Sequence, residues 1–260
     1  MVVVALAGPS TGLGHTFLHT FLSLNTTLPA PERHTLIILS RTPQPALSAQ
    51  GLDVRVVDYT SPTSLVTALR DVHTVLPLIG GSAAALRDTQ LALLAAAKEA
   101  GCARFAPSEY AGSGYGGIEM YAGKAEVWEA VKRSGMEYTR FSCGLFLSVL
   151  ATGTPKPPID AELYTTGEAE ALGGLRAWNY VVNMVAGTAE IPGDGEAEMV
   201  LTHPRDVAGF VFRALGLERW PEELGMRGDV RSWGEVVGLC ERVQGRKWLR
   251  RYTPVEELER

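Results

Sequence analysis

Cysteine is scarce: only Cys102, Cys143 and Cys240 occur in 260 residues. They are too few and too scattered for a disulfide framework, and none stands at metal-ligand spacing, so free and mostly buried thiols are expected. Long apolar runs are missing as well. The longest fall short of the roughly 18 to 20 residues that cross a bilayer, and no basic leader precedes the first strand-like run, so a cytoplasmic protein is expected. Positive charge is not in excess either. Twenty-four basic residues face 29 acidic ones, a net charge of −5, and no dense Lys/Arg block is present, which disfavours nucleic acid as a primary ligand. Internal repeats and low-complexity segments are also lacking. What remains is the profile of a globular protein, 46% hydrophobic and 20% charged, long enough for one substantial core with a small appended lobe. A small-molecule ligand suits this profile, and a homo-oligomer stays open.

The chain alternates strand-like and helix-like segments. Val2 to Ala7 is a continuous apolar run ending at Gly8, as in a strand buried on both faces of a parallel sheet. Leu13, Phe17, Leu18, Phe21 and Leu22 then recur at helical spacing. Further strands are expected at His34–Ser40, Leu52–Val57, Val72–Ile79, Arg104–Pro107 and Tyr138–Cys143, with helices at Ser61–Arg70, Ala83–Ala100 and Tyr121–Ser134. This β-α order implies a parallel sheet with right-handed crossovers. Beyond Leu150 the texture changes: Thr152 to Asp160 holds three prolines, and a Gly- and Glu-rich loop follows. Thr188–Pro192 and Glu198–Thr202, flanking Gly193, Asp194 and Gly195, suggest a hairpin, and Pro204 starts a helix.

The first turn reads Gly8, Pro9, Ser10, Thr11, Gly12, Leu13, Gly14. Glycine there allows a tight turn and lets backbone N–H groups approach a pyrophosphate, at which the following helix points its positive end. A structural turn is the plain alternative, but the position after the first strand of a β-α-β chain favours a nucleotide. The second strand ends at Arg41, where an NAD-preferring site usually offers an acid to the ribose. A guanidinium there can pair with a 2′-phosphate, favouring NADPH, unless Arg41 is an ordinary surface residue. Asp58 ends the third strand, either contacting adenine or capping the next helix. Leu78, with Pro77, Ile79, Gly80 and Gly81, closes the fourth strand beneath the cofactor position. The fold class expected is α/β, a doubly wound Rossmann sheet, with residues 1–150 as the NADP(H)-binding domain and residues 151–260 as a smaller substrate lobe partly interleaved with the core.

Lys124 falls on a greasy helical stripe with Met120, Tyr121, Val127, Trp128 and Val131, while Glu126, Glu129, Lys132 and Arg133 point elsewhere. An unpaired buried ammonium is costly, so this lysine is paired, snorkels, or lines a cavity as a catalytic or cofactor contact. His15 and His19 lie four apart on the first helix, but no third metal ligand is evident. His203 reads as a helix-start residue. Trp178 and Tyr180 either line a substrate pocket or pack within the smaller lobe.

These segments carry a resemblance to the NmrA-like and isoflavone-reductase-like branch of the atypical short-chain dehydrogenases. It spans nearly the whole chain: Gly8 to Gly14, Gln90, Arg104 to Tyr110 (RFAPSEY), Lys124, Cys143 to Phe146 (CGLF) and Arg205 to Val207. The resemblance implies that Lys124 contacts the nicotinamide ribose and helps organise proton delivery, that Gly144 and Phe146 line the nicotinamide pocket, and that Ser108, Glu109 and Tyr110 border the substrate cleft. Three departures stand out. Thr11 occupies a position where many relatives have glycine, Tyr121 precedes Lys124 by three residues and not the usual four, and the chain stops at Arg260, implying a missing or shortened part of the substrate lobe. The leading expectation is an NADPH-dependent reductase of a small aromatic or conjugated substrate at a C=C, C=N or C=O bond, with Lys124 and Tyr121 as catalytic residues. The alternatives are an NADP(H)-sensing regulator without turnover and a non-redox cyclase on the same fold.

Overall fold

The computed structural model describes residues 1–10, 12–112, 114–115, 121–153 and 168–258. In chain order its first half reads β1 (Val3–Ala7), α1 (Gly12–Thr27), β2 (Thr35–Ser40), α2 (Pro45–Ser48), β3 (Asp53–Val56), α3 (Pro62–Ala68), β4 (Thr74–Pro77), α4 (Ala83–Glu99), β5 (Arg104–Phe105), α5 (Ala122–Lys132) and β6 (Glu137–Tyr138). These six strands form one parallel sheet in the order β3-β2-β1-β4-β5-β6. The expected Rossmann-type sheet is therefore present, and the order reverses between β1 and β4, where such sheets open a crevice at the strands' carboxyl ends.

The unbroken apolar strands have a direct cause. Val4, Leu6, Leu36, Ile38 and Leu76 turn to one face, where Phe17, Leu18 and Phe21 of α1 cover them. Ala5, Ala7, Ile37, Leu39 and Val75 turn to the other, beneath Leu65 of α3, Leu93 and Ala97 of α4, and Val127 and Val131 of α5. Because both faces are buried, no polar residue is needed at alternate positions. Local signals set the helix ends. The Ser61 side chain accepts from the Ser64 N–H, with Pro62 at the first position of α3.

The second half reads β7 (Arg140–Ser142), β8 (Leu145–Phe146), α6 (Glu168–Ala171), β9 (Val182–Asn183), β10 (Thr188–Pro192), β11 (Glu198–Thr202), α7 (Pro204–Ala214), β12 (Glu223–Gly225), β13 (Asp229–Ser232), α8 (Trp233–Gln244), β14 (Leu249–Thr253) and α9 (Val255–Leu258). Helix α7 returns to the main sheet and packs Val207, Ala208, Val211 and Phe212 into the α1 side of the core. Its start follows from His203, whose ring nitrogen accepts from the Arg205 N–H. A separate apolar cluster gathers Ile191, Leu201, Trp233, Val237 and Trp248. Arg104 fastens β5 to the segment after α7. Buried, it pairs with Glu137 at 2.9 Å, donates to the carbonyls of Leu215, Leu217 and Glu218, and lies 5.0 Å from the Trp220 ring centroid. Among the described residues no helix is long and apolar enough to cross a membrane.

Two expected elements differ. Tyr138–Cys143 is not one strand. It divides at Thr139 because Glu137–Tyr138 pairs with β5, whereas Arg140–Ser142 pairs in parallel with Glu223–Gly225. The expected hairpin between Thr188–Pro192 and Glu198–Thr202 does not form. β10 is taken by β9 and β14, and β11 by β8 and β13, so the Gly193 to Gly195 turn joins two different sheets.

Candidate active site

The turn after β1 is shaped by glycine at two close approaches. Gly8 has φ +87°, and a Cβ on it would sit 3.0 Å from the Leu78 carbonyl oxygen. A Cβ on Gly14 would fall 2.2 Å from the Gly8 carbonyl oxygen. The chain can therefore fold back over the start of α1 only without side chains there. Gly12 opens α1 at φ +58°, and Leu13 packs on the core. Ser10 is exposed, and Thr11 lies outside the described residues. Leu78, buried after β4, donates its N–H to Ala7 O at 2.7 Å and so holds the two strand ends level. The result is a tight cradle-like turn at the N-terminus of a 16-residue helix, an end whose backbone N–H groups suit an anion, with the Gly173 carbonyl accepting from the Thr16 hydroxyl at 2.6 Å beside it.

Arg41 follows β2 and is exposed. Asp58 does not cap the next helix and instead closes a local turn with Thr60. Its carboxylate accepts from the Thr60 N–H at 2.8 Å and the Thr60 hydroxyl at 2.7 Å, which hold its pKa below the usual range. Helix α3 itself is capped by Ser61.

The second group of residues gathers around Lys124. Its helix buries Val127, Trp128 and Val131, the stripe read from the sequence, whereas Glu126, Glu129, Lys132 and Arg133 are exposed and Met120 lies outside the described residues. The Lys124 ammonium donates to the main-chain carbonyl of Glu109 and lies 5.2 Å from the Tyr121 ring centroid. Burial lowers the Lys124 pKa, opposed by the charge of Glu109 and by Cys143. Burial raises that of Tyr121, and Tyr180, Cys143 and Glu109 add to the rise. Tyr121 thus keeps its proton beside a lysine that releases its own more readily than in water.

The RFAPSEY segment forms the wall. The Ser108 N–H donates to the buried Gln90 side chain at 2.6 Å, and the Glu109 N–H to Pro107 O at 2.7 Å. Tyr110 then sits at φ +29°, unusual for an aromatic residue. Its ring is in the core, 5.1 Å from Phe17 and 6.2 Å from Phe141, and its hydroxyl has no partner among the described residues. Glu109 is also buried, its carboxylate accepting from Tyr115 at 2.9 Å. Gly144, at φ +68°, passes so close to β11 that a Cβ would lie 2.2 Å from Val200 O, and Phe146 follows on β8.

The fold thus brings Lys124, Tyr121 and Glu109 together, and it puts Gly8, Gly12, Gly14 and Leu78 in one cradle. Sequence reasoning did not single out Tyr115 or Cys143 among the residues around Lys124 and Glu109, nor Arg140, whose guanidinium lies 6.0 Å from the Tyr115 ring centroid. The Cys143 thiol is pushed up to about 12 by burial, which keeps it protonated. Cys143 was readable only as part of the CGLF segment, and Tyr115 sits among glycines with no periodic signal. Trp178 and Tyr180 stack at 4.6 Å and stay about half exposed, with Tyr180 edge-on to Trp233 at 5.8 Å. The Nε2 atoms of His15 and His19 lie 3.0 Å apart on the exposed side of α1, and no group of three or more potential metal ligands occurs among the described residues.

Comparison with known proteins places this site in context. The family model described as NmrA-like matches residues 4–260. Oxidoreductase BOA1 of Botryotinia fuckeliana is 31% identical over 95% of this chain and 78% of its own length. Phenylcoumaran benzylic ether reductase 1 of Arabidopsis thaliana is 26% identical over 90% of this chain and 69% of its own. Among solved structures, the leucoanthocyanidin reductase–NADPH complex from Vitis vinifera has a TM-score of 0.70 at 20% identity, covering 98% of this chain and 78% of that one.

Proposed function

The chain belongs to the NmrA-like family, and on that premise we propose that it is an NADPH-dependent reductase acting on a small aromatic or conjugated molecule at a C=C, C=N or C=O bond. The observation that carries the reading is the pairing of Lys124 with the Glu109 carbonyl beside the Tyr121 ring, on the helix that follows β5 and thus at the carboxyl end of the sheet.

The glycine turn suits a dinucleotide, because the close approach of Gly14 to the Gly8 backbone keeps side chains away from the start of α1. Gly8, Ser10, Thr11, Gly12, Leu13 and Gly14 would hold the pyrophosphate, and Arg41 the 2′-phosphate. Leu78, Gly144 and Phe146 would line the path toward the nicotinamide. NADPH, when bound, supplies the hydride. Lys124 orients the ribose through its ammonium and raises the local positive potential. Tyr121, kept protonated by its burial, stands beside it to give the proton that completes the reduction. Phe146 and the Ser108–Glu109 turn shape the substrate side. Tyr110 supports them from the core.

The test is loss of NADPH absorbance with a panel of conjugated carbonyl, imine and alkene substrates. The wild type is expected to turn over at least one, and Lys124→Ala to lose about a hundredfold to ten-thousandfold in kcat, the range of general acid–base contributions, while remaining folded. Unchanged turnover in Lys124→Ala removes the mechanism. Conversion of a substrate without NADPH loss points to a cyclase, and tight NADPH binding without any turnover to a regulator.

A further inference from the structure

Thr16 is buried in the second turn of α1, with Gly12 one turn before it. A threonine inside a helix can satisfy its hydroxyl locally, on the carbonyl four residues back, which here is Gly12 O. The Thr16 hydroxyl goes instead to Gly173 O at 2.6 Å, 157 positions along the chain. The next residue, Gly174, lies on Gly12 itself: a Cβ there would sit 3.1 Å from the Gly12 carbonyl oxygen and 3.6 Å from the Gly12 nitrogen. Gly173 and Gly174 stand at φ +60° and +83°, where a side chain would be strained. The strap that carries them is pinned on both sides. Before it, the Glu168 carboxylate accepts from the Gly153 N–H at 2.6 Å, and the buried Leu172 donates its N–H to Glu168 O at 2.9 Å. After it, the Trp178 N–H donates to the Thr152 hydroxyl oxygen at 2.9 Å. The strap is thus anchored at Thr152 and Gly153 and reaches across to the first turn of α1, where Thr16 fastens it.

We propose that Thr16 is a positioning residue for the cofactor: its hydroxyl holds the Leu172–Gly174 strap against Gly12, and the strap slows release of a bound dinucleotide. This rests on the reading of Gly8–Gly14 as the pyrophosphate turn. Gly12 opens α1, and the first N–H groups of a helix have no partner within it. These are the groups that the proposed function gives to a phosphate. A phosphate held on backbone N–H groups leaves as water takes over those hydrogen bonds. The strap on Gly12 closes one flank of the turn to water and keeps the turn in one conformation, and both effects strengthen the remaining hydrogen bonds. For its own satisfaction the Thr16 hydroxyl needs no distant partner, since Gly12 O is offered within the same helix. What the distant bond adds is the fastening of the strap to the cofactor turn.

The test is the dissociation rate of NADPH, read by stopped flow as its fluorescence falls when the complex is chased with excess NADP⁺. Thr16→Val keeps the shape of the side chain and loses the hydroxyl. Release is expected to be about three- to tenfold faster, the worth of one hydrogen bond. Thr16→Ser, which keeps the hydroxyl, is expected to stay close to wild type. Gly174→Ala, whose methyl would meet the Gly12 carbonyl oxygen at 3.1 Å in a strained backbone conformation, lifts the strap and speeds release in the same direction. A folded Thr16→Val that melts at a lower temperature yet releases NADPH at the wild-type rate makes the bond a purely structural tie and overturns the proposal. Should Thr16→Val not fold, an unchanged rate in Gly174→Ala overturns it. A wild type that binds no NADPH removes the pyrophosphate reading and this proposal with it, whereas tight binding with unchanged release in the variants removes this proposal alone.

Discussion

Gly14 stands so close to Gly8 that a Cβ on it would lie 2.2 Å from the Gly8 carbonyl oxygen. Six residues apart in sequence, the two define the fold-back over the first turn of α1. Gly14→Ala must push the turn open, at an overpacking cost of about 1 to 3 kcal/mol. The expected outcome is a melting temperature lower by several degrees and NADPH affinity down at least tenfold, roughly 1.4 kcal/mol. Thermal melts and calorimetric titration measure both. Wild-type affinity in Gly14→Ala means the turn is not the phosphate cradle.

On the proposed function, Arg41 would carry the choice between the two nicotinamide cofactors. It is exposed at the end of β2 and has no acidic partner in its immediate sequence, Ser40 and Thr42 flanking it. Replacing it with alanine is expected to weaken NADPH by about ten- to a hundredfold, the worth of a charged hydrogen-bonded phosphate contact, and to leave NADH nearly unchanged. Equal losses for both would assign Arg41 a structural role only.

Tyr180 extends the site outward. Its ring stacks on Trp178 and meets Trp233 edge-on. An aromatic surface half open to solvent suits a planar substrate. Tyr180→Ala should raise KM for an aromatic substrate about three- to tenfold with NADPH affinity intact. A KM unaffected by the change, or one matched by a loss of NADPH binding, places the substrate elsewhere.

Glu241 ties the last strand to α8. Its carboxylate takes hydrogen bonds from Arg250 at 2.9 Å, from the Trp248 N–H at 3.0 Å and from Lys247 at 3.0 Å, and its pKa is lowered to about 2, with the Arg250 bond the largest cause. The folded state therefore holds this proton less tightly than the unfolded chain, whose glutamates titrate near 4.3. The stabilisation is complete above that value and is lost as pH falls toward about 2. Glu241→Gln should melt below wild type at pH 7, with the gap narrowing as pH drops from about 5. A gap that does not depend on pH would make the contribution one of packing. Lys247 is 91% exposed along its side chain and adds little through charge.

The sequence made the first half of the fold readable because its information is local. Apolar runs, the Gly8 to Gly14 turn and the Leu13, Phe17, Phe21 period each specify an element without reference to distant residues. The break at Thr139 was not readable, since it is caused by Glu223–Gly225, more than eighty residues further on, pairing with Arg140–Ser142. The hairpin read at Gly193 to Gly195 failed for the same reason. Its turn residues are sound, but β14 and β13 compete for the two strands. Within the site, Lys124 was visible as a charge on an apolar stripe. Asp58, read as either an adenine contact or a helix cap, is not the cap of α3, because Ser61 takes that position and Asp58 turns onto Thr60. Tyr110, read as a cleft residue from its neighbours in RFAPSEY, has its ring in the core, since the turn at Glu109 reverses the direction of the following side chain. Tyr115 and Arg140 belong to a chain of contacts that no spacing encodes.

The most direct measurement is calorimetric titration of the full chain with NADPH, NADP⁺ and NADH under the same buffer and salt. Tight binding of NADPH and NADP⁺ with NADH at least tenfold weaker is the expected result, joining the Gly8–Gly14 cradle and Arg41 in one site. Binding of none of the three, or of NADH as tightly as NADPH, would contradict it.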